Sequence, residues 1–203
     1  RVYVVTLSSE LSGSYNSAQL GKDLWIEEHD GEAKRIYVFN SRSASVGETL
    51  IACKIKECED QGMPFDDVVS TVENYIDRQN TYFVLENLDT LRKNGRLTGI
   101  KSLVASALNI KPVMGSTPQG TICQLGQARG IKRALAKMVE QIVEDAKDTG
   151  NKILAIAHCN CPERAKEVER MIRDKIREKD SFIVDTAGIS TMYANDGGII
   201  VVL

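Results

Sequence analysis

Short apolar runs rich in β-branched residues alternate along the chain with longer amphipathic stretches. Runs of this length and composition predict buried strands. They lie at Val2 to Thr6, Arg35 to Phe39, Thr81 to Leu85, Lys152 to His158, Ser181 to Asp185 and Gly198 to Leu203. Three stretches between them carry apolar residues at helical spacing, beginning at Val68, Ile131 and Val168. Strands that alternate with helices predict an α/β fold with βαβ units and a largely parallel sheet.

One stretch interrupts this alternation and predicts an antiparallel hairpin. Asn109 to Ser116 and Thr121 to Gln127 are joined by Pro118-Gln119-Gly120, which has proline where a turn favours it. Before the hairpin, Asn87 to Gly95 predicts a short helix closed by Asn-Gly. We therefore expect a first domain over residues 1–86 and a second over 87–203.

The segment after the first strand has the pattern of an anion-binding turn. Ser8 and Ser9 follow the strand, and Ser12-Gly13 leads into a helix. Ser12 as N-cap, Gly13 allowing close approach, and the two hydroxyls would together hold a carboxylate or phosphate at the helix start. From the residues alone, however, a plain serine N-cap with no ligand is the expected role, because serine is the usual capping residue.

A second strand-to-helix turn follows at Asn40 to Glu48, where Ser45 and Glu48 have the spacing of a capping box. Structural capping is the expected role. In a parallel sheet, helix starts gather at the carboxyl ends of the strands, where ligands bind. The two turns are therefore expected at the same edge of the sheet, where the strands end.

Charge and cysteine content narrow the class of protein. The 203 residues carry 26 basic and 28 acidic side chains, a net charge of −2, which disfavours nucleic-acid binding. No apolar run reaches the roughly 20 residues of a membrane span, so no stable membrane insertion is expected. The chain has five cysteines, which is an odd number, and their spacing matches no disulfide framework. This fits a reducing compartment, so we expect the protein to be cytoplasmic.

Two further motifs invite a chemical interpretation. His158-Cys159-Asn160-Cys161 has the look of a zinc or redox cluster, but no second ligand pair accompanies it, so buried or incidental thiols are expected and no metal site is predicted. A zinc or redox module that uses Cys159 and Cys161 is the alternative. Arg129 to Arg133 opens the helix that follows the hairpin with basic residues, which oppose the helix dipole and could instead face an anionic group. A solvated basic helix start is the alternative.

Five segments, in their order and spacing, resemble the DegV family over the whole chain. They are Leu7 to Ala18, Asn40-Ser41 with Ala44 to Gly47, Leu88 to Leu97, Leu108 to Pro112, and Ala128 to Lys132. The resemblance implies a two-domain fold, with a mainly parallel sheet in the first domain and a mixed sheet with helices in the second. It also implies a fatty acid in a tunnel between the domains, and a separate kinase subunit that phosphorylates the carboxylate.

The resemblance also implies roles for particular residues. Ser9 matches the carboxylate-binding serine, supported by Ser12 and Gly13, and Arg129 would lie near the head group. Leu103, Leu108 and Ile110 are candidates for the tunnel wall, with a plain core role as the alternative. Thr191 stands where the family has a histidine near the head group. A threonine hydroxyl can donate a hydrogen bond but cannot change charge near neutral pH.

The family also begins with an additional strand and a threonine-bearing loop, so part of the first domain is expected to precede Arg1. The functional expectation is a binding protein that is not an enzyme by itself, with a bound long-chain fatty acid and no cofactor. The alternative is a small-molecule kinase or phosphotransferase acting on a phosphorylated metabolite. No Walker loop, carboxylate cluster for magnesium or nucleophile elbow supports that alternative in the sequence.

Overall fold

The computed structural model describes residues 1–29, 35–97 and 109–203. These residues form two compact units. The first contains Arg1–Gln79 and Pro118–Thr121, and the second contains Asn80–Thr117 and Ile122–Leu203. No helix in these three ranges is both long enough and apolar enough to cross a bilayer.

The first unit is a pair of parallel strands with three helices. Its elements in chain order are β1 (Val2–Thr6), α1 (Ser14–Glu28), β2 (Ile36–Asn40), α2 (Val46–Asp60) and α3 (Phe65–Ile76). β1 and β2 pair in parallel from Val2↔Ile36 to Thr6↔Asn40, so both strands end at the same edge. The predicted βαβ arrangement is therefore present in this unit.

The core of the first unit lies where α2 and α3 pack against the sheet. Phe39 from β2 is fully buried among apolar residues of both helices, including Ile51 and Val68. The predicted capping box is confirmed at the start of α2, where the Ser45 N–H donates to Glu48 Oε1 at 3.1 Å. This box fixes the start of α2 beside the carboxyl end of β2.

The second unit is built on a six-stranded mixed sheet. Its strands are β3 (Thr81–Val84), β4 (Ile110–Ser116), β5 (Ile122–Arg129), β6 (Ile153–His158), β7 (Asp180–Asp185) and β8 (Ile199–Val202). Its helices are α4 (Asp89–Lys93), α5 (Ile131–Asp145), α6 (Pro162–Arg173) and α7 (Gly188–Ala194), with a 3-10 turn at Thr149–Asn151. Its main core joins α5 and α6 to the sheet through side chains such as Met138, Ile142 and Val168.

The strand order is β5-β4-β3-β8-β6-β7. The predicted hairpin is confirmed, because β4 and β5 pair antiparallel from Ser116↔Ile122 to Ile110↔Arg129. A largely parallel sheet is wrong for this unit. Among the described strands of this sheet, only β6 and β7 pair in parallel, and β8 pairs antiparallel with both β3 and β6. A mixed sheet is what the family resemblance implied.

The division between the units differs from the one expected near residue 86. The structure divides the chain between Gln79 and Asn80. The reason is that β3 hydrogen-bonds to β4 and β8, so it belongs to the sheet of the second unit. A strand followed by a turn signal at Asn87 gave no local indication of which sheet it joins.

Candidate functional site

The segment between β1 and α1 forms a tight turn around the carbonyl group of Ser8. The N–H groups of Leu11 and Ser12 both donate to Ser8 O, at 3.0 and 3.1 Å. The chain then passes through Gly13 into α1. Ser9 lies in this turn, three residues after the end of β1.

Ser12 is not the N-cap of α1, contrary to the sequence-based expectation. The N-cap is Gly13, with φ −71°, and the helix begins at Ser14. The Ser12 hydroxyl instead accepts a hydrogen bond from the Ser14 N–H at 3.2 Å. Ser12 therefore still satisfies one N–H group of the helix start. Every residue in the first turn of α1 is among the described residues, and none of them has an acidic side chain that would repel an anion.

Ser9 is half-buried and is held by Asn40, the last residue of β2. The Ser9 N–H donates to Asn40 Oδ1 at 3.1 Å, and Asn40 Nδ2 donates to Ser9 Oγ at 2.8 Å. The parallel pairing of Thr6 with Asn40 brings these two residues together. Sequence analysis missed this role of Asn40, because it depends on the register between two strands that are separated by a helix.

Ser8 anchors the other side of the turn. Its side chain is fully buried, and Ser8 Oγ donates to the carbonyl oxygen of Gly120 at 2.9 Å. Its backbone N–H donates to Ser43 O at 3.0 Å. Gly120 has φ +90°, and a Cβ at this position would lie 2.3 Å from Ser8 Oγ. The contact therefore requires a glycine, and it fixes the turn that carries Ser9.

The carboxyl group of Glu48 lies in the first turn of α2, the helix that follows β2. Burial is the larger influence on Glu48 and raises the pKa of its carboxyl, while the hydrogen bond from the Ser45 N–H lowers it. The net direction is upward. Glu48 thus serves as a structural cap, consistent with the default role expected for this turn.

Arg129 does not open a helix, contrary to expectation. It is the last residue of β5, it is exposed, and α5 begins two residues later at Ile131 with Gly130 as N-cap. Its strand partner is Ile110, which is half-buried in β4. Leu103 and Leu108, the other candidates for a tunnel wall, lie outside the described residues. Roles for Arg129 and Ile110 in ligand binding stay predictions.

Thr191 lies in α7 and is exposed. Its hydroxyl donates to Thr186 Oγ1 at 2.9 Å, so the two threonines link α7 to the residue just after β7. The predicted position of Thr191 near a fatty-acid head group stays a prediction.

The His158-Cys-Asn-Cys161 motif lies between β6 and α6. His158 is buried, and its Nδ1 is 3.3 Å from the Cys161 N–H and 3.4 Å from Asp185 Oδ1. All five cysteines are free thiols. Across the described ranges, no three His, Cys, Asp or Glu side chains are grouped so that they could hold a metal ion. Burial raises the pKa of the Cys161 thiol, a direction that disfavours the reactive thiolate.

The fold and the β1–α1 turn define a class: an α/β protein with a serine-rich turn between its first strand and its first helix. A family model, described as "Uncharacterised protein, DegV family", matches residues 1–202. The chain therefore belongs to the DegV family, and the resemblance seen in the sequence is confirmed.

The chain is similar to other DegV proteins, and two of the similar solved structures are described with a fatty acid. A DegV domain-containing protein of Streptococcus gordonii is 34% identical over 199 residues, which are 98% of this chain and 69% of that protein. A solved DegV family protein of Ruminococcus gnavus, described with vaccenic acid, is 70% identical with a TM-score of 0.96, covering 100% of this chain and 72% of that one.

The Streptococcus pneumoniae Fatty Acid Kinase (Fak) B3 protein, loaded with linoleic acid, is 32% identical with a TM-score of 0.88. The match covers 98% of this chain and 70% of that one. These matches confirm the predicted α/β fold, since both structures superpose on nearly the whole chain.

Proposed function

We propose that this protein binds a long-chain fatty acid, with the carboxylate at the β1–α1 turn and the Ser9 hydroxyl as a hydrogen-bond donor to it. The observation that carries the proposal is the arrangement of Ser9. Asn40 Nδ2 donates to Ser9 Oγ, so the hydroxyl proton of Ser9 is left to donate elsewhere. The fatty acids named with the similar R. gnavus and S. pneumoniae proteins support the choice of ligand.

The helix start adds to the attraction for a carboxylate. The first turn of α1 has N–H groups without intrahelical partners and the positive end of the helix dipole. Gly13 is exposed, and nothing lies within 4 Å of the position of a Cβ there, so an anion can approach its backbone. Ser12 contributes indirectly, through its hydrogen bond to the Ser14 N–H.

Affinity in this proposal comes from the acyl chain, and orientation comes from the carboxylate. Burying a methylene contributes about 0.8 kcal/mol, so about a dozen buried groups would contribute on the order of 10 kcal/mol before ordering costs. A hydrogen bond to a charged group contributes about 1.5–3 kcal/mol. Loss of Ser9 should therefore weaken binding without abolishing it.

We further propose that the protein presents the fatty acid to a separate kinase subunit in the cytoplasm and performs no phosphoryl transfer itself. The similarity to the S. pneumoniae Fatty Acid Kinase (Fak) B3 protein supports this assignment. The five free thiols are consistent with a reducing compartment.

The test begins with mass spectrometry of the purified protein, first native and then denatured and extracted with solvent. We expect a long-chain fatty acid that is released only on denaturation. Titration of the delipidated protein with the same acid should then show roughly 10- to 100-fold weaker binding for Ser9→Ala. The matched control is Ser17→Ala, which removes an exposed hydroxyl from α1. Equal affinity in the two variants would refute the role of Ser9.

A further inference from the structure

The side chain of Asn40 makes three hydrogen bonds, two to Ser9 and one to Arg42. Asn40 Oδ1 accepts from the Ser9 N–H at 3.1 Å and from the Arg42 N–H at 3.2 Å. Asn40 Nδ2 donates to Ser9 Oγ at 2.8 Å. A single amide thus holds both the backbone and the side chain of Ser9.

These contacts determine which way the amide faces. Two backbone N–H groups point at Oδ1, and a backbone N–H can only donate. Rotating the amide by 180° would place the Nδ2 hydrogens against both of these donors. The orientation with Nδ2 towards Ser9 is therefore the only one that satisfies all three contacts.

The direction of the amide in turn determines the direction of the Ser9 hydroxyl. An NH₂ group has donors and no acceptor, so Ser9 Oγ must accept from Asn40 through a lone pair. The Ser9 proton is then directed away from Asn40. A hydroxyl held in this way is a ready donor, because it does not have to break a hydrogen bond to Asn40 before it meets an anion.

We propose that Asn40 is a positioning residue that selects for a carboxylate head group. It does so by keeping the hydroxyl proton of Ser9 directed away from Asn40, where it can be donated to the ligand. This inference rests on the proposed fatty-acid binding and extends it to the source of head-group specificity. Asn40 acts through Ser9. Asn40 would not contact the ligand itself, whereas the serine hydroxyls and the start of α1 would.

The strand pairing does not depend on this side chain. β1 and β2 are joined through backbone groups, and the ladder continues past Asn40 with the Ser41 N–H donating to Thr6 O at 3.2 Å. Asn40 is half-buried, so water can replace the lost acceptor at the Ser9 and Arg42 N–H groups. Asn40→Ala should therefore keep the fold and lose the orientation of Ser9.

The test measures binding of two probes with the same acyl chain, a fatty acid and the corresponding fatty alcohol. The proteins are the wild type, Ser9→Ala, Asn40→Ala and the double variant. We expect Asn40→Ala to weaken binding of the acid about tenfold and binding of the alcohol by much less, because hydrogen bonds to a charged acceptor are about twice as strong. The double variant should bind the acid no more weakly than Ser9→Ala alone.

The two probes separate positioning from a general structural effect. A partly unfolded variant would lose acid and alcohol binding in equal proportion, which would overturn the inference. Wild-type affinity for the acid in Asn40→Ala, or additive losses in the double variant, would also overturn it. If the wild type bound no fatty acid, the proposed function itself would fail, and this inference would fail with it.

Discussion

Replacing Gly120 with alanine should destabilise the turn that carries Ser9. Gly120 has φ +90°, and an added Cβ would lie 2.3 Å from Ser8 Oγ and 2.8 Å from the Cα atom of Arg42. The Ser8 side chain is fully buried and its hydroxyl donates to Gly120 O, so it has little room to move away. The Arg42 contact involves backbone and cannot be relieved by rotating a side chain.

The size of the effect follows from two contributions. Holding an alanine in the left-handed region costs about 1–2 kcal/mol. Forcing a methyl group into a packed site costs about 1–3 kcal/mol more. We therefore expect Gly120→Ala to lower the free energy of unfolding by roughly 2–5 kcal/mol.

Gly62 provides a matched control, because it also has a positive φ but lacks the close contact. It has φ +71°, and nothing lies within 4 Å of the position that its Cβ would take. Gly62→Ala should cost only the backbone contribution, about 1–2 kcal/mol. The difference between the two variants isolates the packing of Gly120 against Ser8 and Arg42.

The assay is urea unfolding followed by circular dichroism, with fatty-acid titration of each folded variant. Gly120→Ala should be less stable than Gly62→Ala by about 1–3 kcal/mol, and it should bind fatty acid more weakly because the Ser9 turn has shifted. Equal stability of the two variants would show that Gly120 has no tight contact with this turn. Unchanged fatty-acid binding in Gly120→Ala would show that the contact between Gly120 and Ser8 does not influence the proposed carboxylate site.

Two further predictions concern the cores of the units. Met138→Ala should lower the unfolding free energy by about 2–5 kcal/mol, since Met138 is fully buried in α5, whereas Glu140→Ala on the exposed face should change it by less than about 0.5 kcal/mol. Burial raises the pKa of Tyr75 from 10.0 to about 12. The folded protein thus holds this proton more tightly than the unfolded chain, so stability should fall as pH rises from 10.0 to 12. Tyr75→Phe should remove part of that decline in urea titrations, and an unchanged pH profile would refute the assignment.

The elements were predictable where the information is local. Apolar runs located the strands, Pro118-Gln119-Gly120 located the hairpin turn, and the Ser45–Glu48 spacing located a capping box that the structure confirms. Each of these signals depends on residues close together in the sequence. Local preference was also the source of one error, since the preference of serine for helix caps pointed to Ser12, whereas α1 begins after Gly13.

The remaining differences depend on pairing between distant residues. β8 has an ordinary apolar sequence, and nothing in it indicates that it lies antiparallel between β3 and β6. Arg129 was assigned to a helix start, but its pairing with Ile110 extends β5 through it. The hydrogen bonds between Asn40 and Ser9 likewise require the β1–β2 register, which a single sequence does not specify.

The most direct test of the proposed function is a crystal structure of the protein with a long-chain fatty acid such as vaccenic acid. We expect a carboxylate oxygen within about 3 Å of Ser9 Oγ, with Asn40 Nδ2 still donating to the same hydroxyl. A fatty acid bound with its carboxylate away from the β1–α1 turn would contradict the assignment of Ser9. The absence of any bound fatty acid at saturating concentration would contradict the proposed function.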